Sequence, residues 1–169
     1  MSELTKSTIY RLKDEGYLFG LASGRPLFQI KRNVKEWGLD ITPDFLIGMN
    51  GAEYRDEETD TEVTLGVLSA EDIKRIFDYM HEFRDKGTFS EYTDTGIMFE
   101  RDDDIMLRAL KKYGAKEDVT FCEKEEDMYS RPNAKIMFRL YSFDDMPLLE
   151  QYLIDHPADF FTGYKTQGN

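Results

Sequence analysis

Apolar positions along the first third of the chain switch between helical spacing and continuous runs. Leu4, Thr8 and Leu12 share one stripe of a helix that Ser2 caps and that runs to about Glu15, where Gly16 suits a left-handed ending. Tyr17-Leu18-Phe19-Gly20-Leu21-Ala22 is then apolar without alternation, the pattern of a strand buried on both faces of a parallel sheet. Ser23-Gly24-Arg25 follows at once. Pro26 suits the first turn of a helix, where no amide donor is needed, and Leu27, Ile30, Val34 and Trp37 continue at helical spacing until Gly38. After Pro43, Phe45 to Met49 forms a second apolar run that ends in Asn50-Gly51, so residues 17 to 51 predict one strand-helix-strand unit with a right-handed crossover. Ala52 to Asp56 and Thr61 to Leu65, flanking polar residues 57 to 60, predict an antiparallel hairpin at the sheet edge. This first region closes near Leu68.

A different pattern starts at Ser69, which forms a capping box with Asp72 for a helix carrying Ile73, Ile76, Phe77, Met80 and Phe83 and ended by Gly87. Two short strands about Asp94-Thr95-Gly96 come next, then a helix with Ile105, Ala109, Leu110 and Tyr113, a short strand at Cys122 and an acidic loop over Glu123 to Asp127. Alternation returns in Ala134 to Tyr141. Ser142 with Asp145 predicts a second capping box, for a helix with Leu148, Leu149, Tyr152 and Leu153, and a strand is expected over Asp159 to Lys165. The shared Ser-x-x-Asp starts at 69 and 142 hint at a duplicated helix-plus-strand unit.

Composition narrows the class. At 169 residues, with 40% hydrophobic and 14% aromatic content, the chain can bury a core. Its 34 acidic against 22 basic residues give a net charge of -12, which repels nucleic acid and anionic membranes, so neither is an expected partner. One cysteine excludes an internal disulfide, and two histidines offer no set for structural zinc. No run is long enough to span a membrane and the start has no apolar signal core; a soluble cytoplasmic protein is expected.

The elements do not close on themselves. A parallel sheet needs several strands with both faces covered, yet only two fully apolar strands and a hairpin are predicted, and the opening helix returns from no earlier strand. Two readings fit: the chain is an internal segment of a larger unit, or a partner subunit or second copy covers its sheet edges by self-association.

Chemistry concentrates at Ser23. A serine after a buried strand, followed by Gly24 and a helix amino terminus, offers a hydroxyl and free amides in one direction with a favourable dipole, which suits an anion. Parallel sheets place ligands beyond the carboxyl ends of their strands, so Asn50-Gly51 should face the same pocket. The plainer alternative makes Ser23 a capping residue and Arg25 an exposed side chain in a simple strand-to-helix turn. Leu21 and Arg25 break the Gly-x-Ser-x-Gly elbow of serine hydrolases, and neither a dinucleotide fingerprint nor a P-loop is present. His81 and His156 read as structural or surface groups, Cys122 as a small buried hydrophobe, and Phe89, Tyr92, Phe99, Phe138, Tyr141, Phe160 and Phe161 chiefly as packing beneath helices.

The segment Leu18-Phe19-Gly20-Leu21-Ala22-Ser23-Gly24-Arg25-Pro26, with Asn50-Gly51-Ala52 a helix and strand later, resembles the Cof-type sugar-phosphatase branch of the haloacid dehalogenase superfamily. The resemblance implies an α/β fold: a partial Rossmann-like parallel core over residues 1–68 with an inserted α+β cap over 69–169, incomplete at its carboxyl end. It implies phosphate binding by Ser23 and Gly24, with Arg25, Asn50 and Gly51 lining the pocket, and a small phosphorylated metabolite as substrate. The family's Asp-x-Asp-Gly-Thr nucleophile, its lysine and its metal-binding Gly-Asp-x-x-x-Asp have no match. Asp102-Asp103-Asp104 lacks the Gly-Thr and opens a helix, and Lys165 falls in the last predicted strand. Mg2+ is therefore expected for the full-length family member and not for this chain, which should be inactive alone; the alternative is a non-catalytic anion-binding module or a subunit completed by a partner chain.

Overall fold

The computed structural model describes residues 1–102, 104, 107, 108, 111 and 118–165. Packing divides the chain into two compact units, Met1–Val67 and Leu68–Asn169.

In the first unit, helix α1 (Glu3–Asp14) begins where the Ser2 hydroxyl accepts the Thr5 amide, and Arg11 and Lys13 complement the dipole of its last turn. The helix buries no residue. Polar bonds attach it instead: the Asp44 carboxylate accepts Lys13 Nζ and the Phe19 amide, each at 2.6 Å. Lys13 foremost, then the Phe19 amide, hold the Asp44 carboxyl below its ordinary range.

Strand β1 (Gly20–Ala22) is shorter than the apolar run that predicts it. Tyr17 and Leu18 remain outside it, Leu18 76% exposed, and Ala22 is exposed too, which overturns the expectation of burial on both faces. Position explains this, because the sheet runs β1-β2-β3-β4 and β1 is an edge strand with a paired neighbour on one side among the described residues. β1 runs parallel to β2 (Phe45–Gly48), with Gly20 opposite Phe45 and Ala22 opposite Ile47. Between them α2 (Leu27–Glu36) takes Pro26 as its N-cap, one place earlier than expected, and buries Leu27 and Ile30 against Leu46 and Leu21. The expected hairpin forms as β3 (Glu53–Asp56), antiparallel to β2, and β4 (Thr61–Thr64), antiparallel to β3.

In the second unit, α3 (Ala70–Tyr79) is capped by Ser69 as expected, the Asp72 amide donating to Ser69 Oγ at 3.0 Å, but the Asp72 carboxylate accepts the Ser69 hydroxyl at 2.7 Å in place of the main-chain amide bond of a full box. The helix ends at Tyr79 and not at Gly87, which opens β5 (Gly87–Tyr92). Glycine serves close approach there: a Cβ at 87 would lie 2.5 Å from the Arg139 carbonyl oxygen and from the Phe138 ring. With β6 (Gly96–Phe99), β7 (Asp118–Phe121) and β8 (Ile136–Leu140) the sheet order is β7-β6-β5-β8, parallel between β6 and β7 and antiparallel elsewhere. Cys122 lies one residue past β7. The helix expected on Ile105, Ala109, Leu110 and Tyr113 falls outside the described residues.

The apolar core of this unit joins α3 to the sheet, with Phe77 stacked on Phe89 at 4.0 Å and Ile73 and Met128 fully buried. Ser142 does not form the second predicted box. Its hydroxyl accepts the Asp144 amide and opens a single tight turn, whereas the Asp145 carboxylate pairs with Lys86 at 2.8 Å before α4 (Met146–Asp155) begins. The strand expected over Asp159 to Lys165 is absent as well. Its aromatics pack on helices instead, Phe160 beneath the Arg75 guanidinium at 3.8 Å and Phe161 against Tyr79 at 5.3 Å, so the suggested duplication stops at its second helix.

A buried polar hub fixes β5. Glu91 is 0% exposed; its carboxylate accepts Arg131 Nη2 at 3.1 Å and Asn133 Nδ2 at 2.9 Å. Asn133 also exchanges both main-chain hydrogen bonds with Leu68, at 2.9 and 3.0 Å. Burial pushes the Glu91 carboxyl up, and Arg131 pulls it back. Arg131→Ala is expected to lower stability in urea unfolding by about 2 kcal/mol near pH 8. Because the raised carboxyl folds best when protonated, the loss should shrink toward pH 4, where Glu91 takes up a proton; an equal loss at both pH values would contradict this account.

Candidate functional site

Parallel pairing carries β1 and β2 to the same edge, and the two turns that follow them are bonded together. The Ser23 amide donates to the Ile47 carbonyl at 2.9 Å, the Asn50 amide to the Ser23 carbonyl at 3.2 Å, and the Met49 amide to the Arg25 carbonyl at 2.9 Å. Ser23, Gly24, Arg25, Asn50 and Gly51 are thereby brought to one place, with Ser23 and Gly24 partly buried and Arg25, Asn50 and Gly51 exposed.

The second turn is left-handed at three successive residues: Met49 at φ +50°, Asn50 at +59° and Gly51 at +101°. Asparagine tolerates that region better than other side chains, and glycine alone occupies it without strain. This bend turns Asn50 back onto the first loop. A Cβ at Gly24 would lie 2.5 Å from Asn50 Oδ1, so the glycine permits the close approach of the amide.

Ser23 Oγ accepts the Arg25 amide at 3.2 Å, which uses a lone pair and leaves the hydroxyl proton to donate. The expected free amides are fewer than the sequence suggests. Pro26 supplies no side-chain cap, and no acidic residue stands in the first turn of α2. Glu53, from the start of β3, fills that end: its Oε2 accepts the Leu27 amide at 2.8 Å. Burial foremost pushes the Glu53 carboxyl up, with Glu62 adding to it, while the Leu27 amide and Lys31 act in the other sense. Sequence reasoning missed Glu53. The signal was the helix start itself, which lacks an oxygen of its own and so calls for one from elsewhere.

The other candidates belong to the second unit. His81 and His156 are exposed, the latter against Tyr152 at 4.4 Å, and Lys165 is exposed and paired with Glu150 at 2.6 Å. Cys122 donates to the Glu100 carbonyl at 2.9 Å, and burial pushes its thiol up, away from the thiolate. Asp102 and Asp104 are exposed; Asp103 lies outside the described residues. Among the described residues no group of three or more His, Cys, Asp or Glu is placed to hold a metal.

With this geometry, the profile of haloacid dehalogenase-like hydrolases matches residues 1–168. The chain belongs to that family. No curated protein sequence matches it. Solved structures do: a haloacid dehalogenase-like hydrolase from Bacteroides thetaiotaomicron superposes with a TM-score of 0.70 at 19% identity, covering 91% of this chain and 57% of that one. One from B. subtilis gives 0.70 at 12% identity, with 94% and 61% covered. A sugar phosphatase of haloacid dehalogenase subclass IIB gives 0.67 at 12% identity, with 91% and 55% covered. The α/β fold of this haloacid dehalogenase-like chain is thus the fold of those proteins, and it spans little more than half their length.

Gly51 is the backbone test of the site. Gly51→Ala meets open space but must adopt φ +101°, and is expected to cost about 1–2 kcal/mol in thermal unfolding. Asn50→Gly should be close to neutral by the same measurement.

Proposed function

We propose that this chain contributes the phosphate-holding turn and the cap of a phosphatase acting on small phosphomonoesters such as sugar phosphates. The observation that supports this most is the bonding of the Ser23 turn to the Asn50 turn at the carboxyl edge of two parallel strands. There the Ser23 hydroxyl donates to a phosphoryl oxygen and the Gly24 backbone lies beside it, with Arg25 and Asn50 flanking the group. The name of the subclass IIB sugar phosphatase supports the substrate class. Unit Leu68–Asn169 takes the part of the substrate-covering cap, unit Met1–Val67 that of half the catalytic core.

Phosphoryl transfer needs a nucleophile and a clamp for charge developing on the phosphoryl oxygens, and neither is provided by the described residues around Ser23. In this proposal both come from polypeptide beyond these 169 residues, together with the carboxylates that bind Mg2+. The exposed edge of β1, with Leu18 beside it, favours completion by further polypeptide over the reading as a free-standing anion-binding module.

Mg2+-dependent phosphate release from a panel of sugar phosphates tests this. The 169-residue chain should release none, and the same chain extended through its flanking coding sequence should turn over. In the extended protein Ser23→Ala is expected to lower kcat/KM by roughly 10²-fold or more. Turnover by the short chain would overturn the division of labour, and an inactive extended protein would overturn the assignment as a phosphatase.

A further inference from the structure

The amino terminus of α2 is the natural seat for an anion beside Ser23, yet the protein has seated its own carboxylate there. Glu53 Oε2 accepts the Leu27 amide at 2.8 Å. It also packs against the second turn, since a Cβ at Gly48 would lie 2.7 Å from the same oxygen, 3.0 Å from the Arg25 carbonyl and 3.1 Å from the Leu27 amide nitrogen. The carboxylate, the Ser23-to-Leu27 segment and the end of β2 therefore occupy one tight layer. Only a residue without a side chain fits at 48.

Resting on the phosphate-binding role of the Ser23 turn, we infer that Glu53 is a positioning residue that sets anion affinity there: it fixes the turn by capping α2 and opposes a bound dianion with its charge. Both effects follow from the same bond. A cap that accepts the Leu27 amide holds the start of α2, and with it the spacing from Ser23 to Leu27. A carboxylate in that seat excludes a phosphoryl oxygen from the Leu27 amide and leaves Ser23 and Gly24 as the contact. The dipole that would have attracted the ligand is already answered.

The charges facing Glu53 do not cancel this effect. Lys31 of α2 and Glu62 of β4 act on it in opposite senses and pair with each other at 3.2 Å, and Glu62 is further engaged by Arg55 at 3.4 Å. Arg25 contributes its carbonyl to the layer while its side chain is exposed.

Two substitutions separate the roles. Glu53→Gln keeps an oxygen for the Leu27 amide and removes the charge, whereas Glu53→Ala removes both. Binding of inorganic phosphate to the 169-residue chain is measured by amide chemical-shift titration, with Ser23→Ala as the site control. Glu53→Gln should bind roughly three- to tenfold tighter than the parent, as expected for lifting one nearby like charge in a largely aqueous setting. Glu53→Ala should fall below Glu53→Gln although its charge is the same, because the turn is no longer held.

Sulfate, which stays a dianion across the range, supplies the pH profile. Its affinity for the parent should rise as pH falls and Glu53 takes up a proton, and the Gln variant should lack that component. Equal phosphate affinity in parent and Gln variant, or in Gln and Ala variants, with Ser23 dependence intact, overturns the inference alone. Phosphate binding that ignores Ser23→Ala, or is absent from every variant, overturns the site reading and the inference with it.

Discussion

Parallel pairing of β1 with β2 is the constraint from which the rest of the candidate site follows. Parallel neighbours present their carboxyl ends on the same side, so the residues leaving each strand must meet at one edge. What then matters is how tightly the two exits are tied. Three main-chain bonds join residues 23–25 to residues 47–50, the first ending the β1–β2 ladder at Ile47 and the other two tying the turns beyond it. The left-handed run from Met49 to Gly51 makes this bonding geometrically available. A chain that left β2 in an extended conformation would carry Asn50 away from Gly24.

Capping explains how α2 begins beside this edge without a capping side chain of its own. Pro26 fixes its backbone angle but offers no oxygen, and the first turn holds no acid. Glu53 answers both needs from the strand that follows the Asn50 turn, so the hairpin is tied to the site as well as extending the sheet. Desolvation makes this cap more costly to ionise than a surface cap. The cost is tolerable because the Leu27 amide and Lys31 offset part of it.

Much of this was legible in the chain. The alternation of helical and continuous apolar spacing located α1, α2, β2 and the hairpin, and the Ser23-Gly24-Arg25 and Asn50-Gly51 pair pointed to the edge where the structure brings them together. What failed had a common cause: local pattern does not say what lies beside an element. Tyr17 to Ala22 reads as doubly buried because it is apolar, yet exposure is set by neighbours, and β1 has one paired strand among the described residues. Phe160 and Phe161 read as a strand because they are aromatic and flanked by polar residues, yet Arg75 and Tyr79 offered them faces to pack on. Gly87 reads as a helix end because glycine often is one. Here the Phe138 ring and the Arg139 carbonyl demanded it in a strand.

Glu53 illustrates the reverse case, in which a deficiency visible in the sequence was the signal. A helix start with neither a capping side chain nor an acid leaves amides that must be satisfied by something, and at a proposed anion site the candidates are a ligand or a carboxylate from elsewhere in the chain. The alternatives have different consequences. If the ligand satisfied those amides, the turn would be completed only on binding. With Glu53 in place it is complete beforehand, so binding need not order the loop, and the energetic cost appears instead as repulsion between two anions. On the proposed phosphate-holding role, pre-organisation and weak attraction would both follow from one residue, a combination that favours exchange over retention.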